Sequence, residues 1–161
     1  MTATLSPEFT KAQQDFAAWY DSKSDDMQTF IDVISDRTYY IIDEDEYDAF
    51  ICELECYGIT DAQTFEDAFH GEFEGYGEHI LTKFTEEFCN DTGILGDLSD
   101  IAENCIDYNQ VWYYAFQYDF NVIEFKGNTY FLSNNYWCNL FQLRVTYSTQ
   151  LLAVLVSLPH S

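Results

Sequence analysis

Asn121-Val122-Ile123-Glu124-Phe125-Lys126-Gly127-Asn128-Thr129-Tyr130-Phe131-Leu132-Ser133 is where the periodicity of this chain changes. Residues 121–125 and 129–133 are β-prone runs, and Lys126-Gly127-Asn128 joins them. A Gly-Asn pair between such runs reads as a hairpin turn. Upstream, apolar residues recur at helical rather than alternating spacing. The expected class is therefore α+β: mostly short helices in the first two-thirds, a small antiparallel β element near 121–133, and an elongated body.

Working back from the hairpin, residues 109–116 and 98–105 look like short helical pieces. Residues 78–90 predict a longer helix with Ile80, Leu81, Phe84 and Phe88 inward, closed by Gly93. Asp61 is placed to cap a helix carrying Phe65 and Phe69, with Gly71 as its stop. The acidic run Asp43-Glu44-Asp45-Glu46 precedes Tyr47, Phe50, Ile51, Leu54 and Tyr57, and acids in a first turn favour the macrodipole. Residues 37–42 (RTYYII) read as a short strand and 27–34 as a helix. Ser6-Pro7-Glu8 opens a helix that runs to about Asp21. Phe65, Phe69, Phe84, Phe88, Ile94, Leu95 and Tyr108 are the expected core. A further strand is expected over residues 139–158. Residues 151–158 (LLAVLVSL) are too short an apolar run to span a bilayer, which takes about 20 residues.

Charge is the loudest compositional feature. All twenty-nine acids lie between Glu8 and Glu124, where only Lys11, Lys23, Arg37 and Lys83 oppose them, a formal charge of −25. The rest, from Phe125 onward, has no acid and carries +2 from Lys126 and Arg144. Disordered acidic chains are poor in aromatics, but here 19% of residues are aromatic, so the charge coats a folded body. The surface excludes nucleic acid as a direct ligand and calls for a basic partner.

The five cysteines are odd in number and without paired spacing. They read as reduced thiols in a cytoplasm rather than a disulfide framework. Cys52 and Cys56, four apart on a helix, read as buried core rather than a metal pair.

Catalytic patterns are missing. Asp43-x-Asp45 opens like an EF-hand loop, but its sixth position is Asp48 and its twelfth Leu54. No H-E-x-x-H, P-loop, G-x-G-x-x-G or G-x-S-x-G is present. His70 and His79 read as ordinary boundary or surface residues. No cofactor, metal or enzymatic activity is expected.

Duplex DNA carries one negative charge per ~1.7 Å of axis, so a net −25 matches roughly 40 Å of duplex, about one helical turn. A protein with a basic cleft for DNA would meet a DNA-like charge density here. Adaptation to high salt is the competing reading of the same composition.

One segment adds a family likeness. Residues 59–73 (ITDAQTFEDAFHGEF), then Asp91-Thr92-Gly93-Ile94-Leu95-Gly96, then Ile106-Asp107-Tyr108 follow one another along the chain. They resemble the "FEDAYxGEW", "xTGxLG" and "YIDY" segments of ArdA-type antirestriction proteins, in that order. The likeness covers about residues 59–135. Where that family continues into an Ala-Arg-Asp-Leu-like run, this chain has Trp112-Tyr113-Tyr114-Ala115.

The resemblance implies a non-enzymatic, phage- or mobile-element-type protein. It would be a homodimeric mimic of bent B-DNA that blocks the DNA groove of type I restriction–modification enzymes. It divides the chain into an acidic helical region (1–58), the ArdA-like region (59–137) and an apolar tail (138–161). The partner-binding acids expected are Asp61, Glu66, Asp67, Glu72, Glu74, Glu86, Glu87, Asp91, Asp97, Asp100, Glu103 and Asp107, with Asp61 and Asp97 also candidate caps. The alternative is an acidic chaperone or antagonist of other basic DNA-binding proteins.

Overall fold

A computed structural model describes residues 7–41, 43–98 and 100–134. The expected strand over 139–158 and the tail lie outside these residues. The chain forms two compact units that divide between Asp67 and Ala68.

The first unit is helical: α1 (Pro7–Asp21), α2 (Asp25–Arg37), α3 (Glu44–Cys56) and α4 (Ala62–Ala68), whose last residue begins the second unit. Caps set the starts. Ser24 Oγ accepts the Met27 amide, Asp43 the Glu46 amide and Asp61 the Thr64 amide. The Ser24 cap explains why α2 begins before Met27. Inward stripes follow helical spacing: Phe30, Ile31 and Ile34 on α2, and Tyr47, Phe50, Ile51 and Leu54 on α3. Phe65 of α4 meets Phe30 edge-on, with ring centres 6.1 Å apart. Lys23, Trp19 and Asp48 tie α3 to the end of α1. Lys23 donates to one Asp48 oxygen at 2.8 Å and the indole to the other at 3.1 Å.

Two expectations fail in this unit. The strand expected at 37–42 does not form: Arg37 ends α2 and residues 38–41 are bend and loop. β-branched and aromatic composition makes a strand only where a neighbouring edge takes its hydrogen bonds. Cys52 and Cys56, expected in the core, are exposed. The apolar stripe of α3 runs through Ile51 and Leu54, and Cys52 and Cys56 each lie beyond it around the helix.

The second unit sets a three-stranded antiparallel sheet against helices. Its elements are β1 (Phe69–Glu74), α5 (Glu78–Thr92), α6 (Asp100–Glu103), α7 (Tyr108–Val111), a π-helical turn (Trp112–Phe116), β2 (Phe120–Phe125) and β3 (Asn128–Ser133). The order is β1-β3-β2. The hairpin expected at 121–133 is β2–β3, with Phe125 opposite Asn128. Its turn is Lys126-Gly127, with φ of 50° and 92°. Positive φ at both central residues is the type I′ signature that matches strand twist.

The helix expected to run through Phe69 stops at Ala68, and Phe69–Glu74 is a strand instead. The reason is tertiary. β3 is buried from Asn128 through Leu132, and β1 supplies the second edge that its backbone groups require. Gly71 is not a helix stop: a Cβ there would meet the Phe73 ring at 3.1 Å. The β1–β3 register shifts between Phe69 and Gly71, a bulge at His70.

The core of this unit is aromatic. Phe84 of α5 stacks on Phe131 with centroids 3.8 Å apart and planes 4° from parallel. Phe73, Trp112, Phe116 and Phe120 close around that pair. Of the expected core, Phe65 and Phe84 are buried, while Phe88, Ile94, Leu95 and Tyr108 are partly buried against the cluster. Phe69 is half-buried. Gly93, with φ of 62°, closes α5 as a left-handed cap. No helix among the described residues is long and apolar enough to cross a membrane.

Candidate functional site

Charge on this fold is outward. Of the acids whose side chains are described, none is buried, and only Glu44, Glu46, Glu72 and Asp119 are even half-buried. The first unit holds seventeen acids and three bases; the span from Ala68 onward holds twelve and three. Both units therefore carry a large net negative charge.

Three ion pairs are formed among the described residues. Lys23 meets Asp48 at 2.8 Å, Arg37 meets Glu66 at 2.9 Å, and Lys83 approaches Glu87 at 3.9 Å. Five bases in the described stretches cannot neutralise the acids around them. Partial burial opposes ionisation of Asp48, but hydrogen bonds from Lys23 and Trp19 outweigh it and hold its carboxyl below its usual value. Exposed pairs of this kind contribute at most about 1 kcal/mol each.

The twelve acids singled out from the sequence separate by environment. Glu66, Asp67, Glu74, Glu86, Glu87, Asp91, Asp97, Glu103, Asp61 and Asp107 are exposed. Glu72 is half-buried on β1. Asp100 opens α6, and its side chain lies outside the described set. Asp61, Glu66 and Asp67 belong to the first unit and the others to the second.

Several have local duties. Asp61 accepts the Thr64 amide at 2.9 Å and the Thr64 hydroxyl at 2.8 Å, and these bonds hold its carboxyl below its usual value. Asp107 caps α7 by accepting the Gln110 amide at 3.1 Å. Asp97 stands three positions ahead of α6. Asp67 accepts from Gln63 at 2.9 Å. Along α5, Glu78, Glu86, Glu87 and Asp91 are all exposed, while Ile80, Phe84 and Cys89 face the core. Alternation of these sets at helical spacing is what turns the acids outward.

Residues outside the chosen set are equally exposed. Asp25, Asp26, Asp32 and Asp36 on α2, Asp45, Asp48, Glu53 and Glu55 on α3, and Glu78 and Glu124 all face water. A simple charge count along the chain would have included them. The exposed tyrosines were missed altogether: Tyr39, Tyr40, Tyr57, Tyr76, Tyr113, Tyr114 and Tyr118.

Two groups in the second unit, the buried Cys89 and the exposed His70, carry shifted pKa values. Burial pushes the Cys89 thiol up to about 12, which leaves it unreactive. The His70 ring lies edge-on to Phe88 and Phe120, at 5.5 and 5.2 Å. That apolar setting lowers its pKa, although the residue as a whole keeps a water-facing edge. Among the described residues, no three His, Cys, Asp or Glu side chains converge to hold a metal ion.

Set against protein-family models, curated proteins and solved structures, the chain matches none of them.

Proposed function

We propose that this protein is a DNA mimic: an acidic inhibitor, without enzymatic activity, that occupies the DNA-binding cleft of a basic partner. The observation that carries the reading is the outward, unneutralised acid coat on both units. A cleft that evolved to release counterions from DNA gains the same electrostatic free energy from such a coat. It also gains fast, steered association. The resemblance of residues 59–135 to ArdA-type antirestriction proteins names the candidate partner, a type I restriction–modification enzyme. The site of action is then the cytoplasm in which that enzyme works, and the protein acts there as a homodimer.

Cleavage of plasmid DNA by a purified type I enzyme, with this protein titrated in, tests the reading. Cleavage should fall with added protein and recover as non-specific duplex is supplied. Undiminished cleavage with the protein in excess would refute it.

One observation favours a second reading. Seventeen of the acids lie at or before Asp67, and most of these precede the family-like segment. An acidic antagonist of other basic DNA-binding proteins would use that coat with less discrimination. It predicts similar affinity for histone-like proteins and for the restriction enzyme.

A further inference from the structure

Every large hydrophobic side chain left exposed among the described residues is a tyrosine. In the second unit these are Tyr76, Tyr113, Tyr114 and Tyr118, and the last two are 69% and 77% exposed. A phosphate-like acid coat has no need of exposed rings, since phosphate mimicry is done by carboxylates alone. Tyrosine is one of the residues enriched where protein surfaces meet.

Three of these rings issue from the π-helical turn and the residues after it. Such turns are rare and frequent at functional sites. Here the turn buries Trp112 and Phe116 and leaves Tyr113 and Tyr114 outside. Its backbone is held: the Gln117 amide donates to the Trp112 carbonyl at 2.9 Å, and the Gln117 side chain donates to the Tyr113 carbonyl. Beyond it, Asn134 donates its side-chain amide to the Tyr118 carbonyl at 2.9 Å and its backbone amide to the Asp119 carbonyl at 2.8 Å. The Tyr113 hydroxyl reaches Glu78 at 3.4 Å. Rings carried on a fixed backbone lose little entropy when a partner docks.

Their setting selects the partner's chemistry. Twelve acids against three bases attract cations to this unit. Ring faces hold cations, and the fold already uses this within itself: Lys23 lies 4.5 Å from the Trp19 ring centre and Lys83 5.3 Å from that of Phe73. A planar, weakly hydrated guanidinium stacks on such a face better than a compact ammonium does.

We propose that Tyr114 and Tyr118, with the Tyr113–Glu78 pair of the same unit, form an arginine-binding patch that grips guanidinium groups of the partner beyond charge attraction. The inference deepens the DNA-mimic reading and takes the partner's basic character from it.

Calorimetric titration with oligo-arginine and oligo-lysine of equal length at one ionic strength tests it, on the native chain, Tyr114→Ala/Tyr118→Ala and Tyr114→Phe/Tyr118→Phe. Both positions are exposed, and near-ultraviolet dichroism checks that each variant keeps its packed core. The native chain should prefer arginine. The alanine pair should cut that preference by about tenfold while leaving lysine affinity in place. The phenylalanine pair should retain it, because the ring is kept.

An arginine-to-lysine ratio equal in the native and alanine forms overturns the proposal. A drop in oligomer size on alanine substitution, with the ratio unchanged, assigns the rings to a contact between copies and also overturns it. If the ratio collapses as expected but duplex DNA never competes with the protein for its partner, the patch stands and the DNA-mimic reading falls. If DNA competes while the ratio is unmoved, the mimic reading stands and the patch falls.

Discussion

Single residues carry two kinds of work here, capping and charge, and often the same carboxylate does both. Ser24 and Asp43 cap without ambiguity. Ser24→Ala should cost about 1 kcal/mol, read from the urea midpoint, and Ser24→Asp should restore it. Asp61 combines a cap with a place in the acid coat. Its folded pKa lies below the usual value, so its contribution is present above that value and is lost as pH falls through the lower, folded one. His70 behaves oppositely in charge but alike in direction. Its folded pKa lies below 6.5, so the unfolded chain takes up the proton first. Stability from His70 is complete above about 6.5 and falls as pH drops toward the folded pKa. The difference in unfolding free energy between the native chain and His70→Gln should therefore shrink as pH falls below about 6.5. Parallel curves would show that the ring is as well solvated folded as unfolded. At this scale the acids were legible from the sequence, because carboxylates stay on the surface wherever the helices fall. The tyrosines were not. Which of Trp112, Tyr113, Tyr114 and Phe116 face outward depends on a π-helical turn that ordinary helical spacing does not reveal.

Elements were legible in proportion to how locally they are determined. The β2–β3 hairpin is written in its own turn, where Gly127 takes φ of 92°. Gly127→Ala should destabilise the hairpin by about 1–2 kcal/mol through backbone strain alone, since nothing lies within 4 Å of the added methyl. Helices α1, α3 and α5 were legible from stripes and caps. β1 was not, because its cause lies far away in sequence: Phe69 pairs with Leu132 and Glu74 with Asn128. A local reading of Phe65 and Phe69 favours a helix, and only the vacant edge of β3 overrides it. The strand expected at Arg37 fails for the complementary reason, that no edge receives it. The seam between α5 and the sheet rests on Phe84 against Phe131. Phe84→Ala should cost about 3–5 kcal/mol, seen as a lowered thermal midpoint, since the stacked ring leaves a cavity.

For the whole molecule, the balance is between repulsion and use. A formal charge of −23 works against the compact state through self-repulsion, so added salt should raise thermal stability by screening. The same screening should weaken the partner complex. Opposite responses to salt in one protein separate a surface kept for binding from one kept for life in brine. The brine reading requires high salt for folding; the mimic reading requires a folded protein at low salt, where binding is strongest. Neutralising any single exposed acid, Glu86→Gln for example, should change affinity little, because the energy is shared among many weak contacts. Competition between this protein and duplex DNA for a purified type I restriction–modification enzyme, followed from ~50 to ~200 mM salt, tests the central claim most directly. The account predicts mutually exclusive binding, with protein affinity falling steeply and linearly on logarithmic axes as salt rises. Simultaneous binding of protein and duplex to the enzyme, or an affinity indifferent to salt, would contradict it.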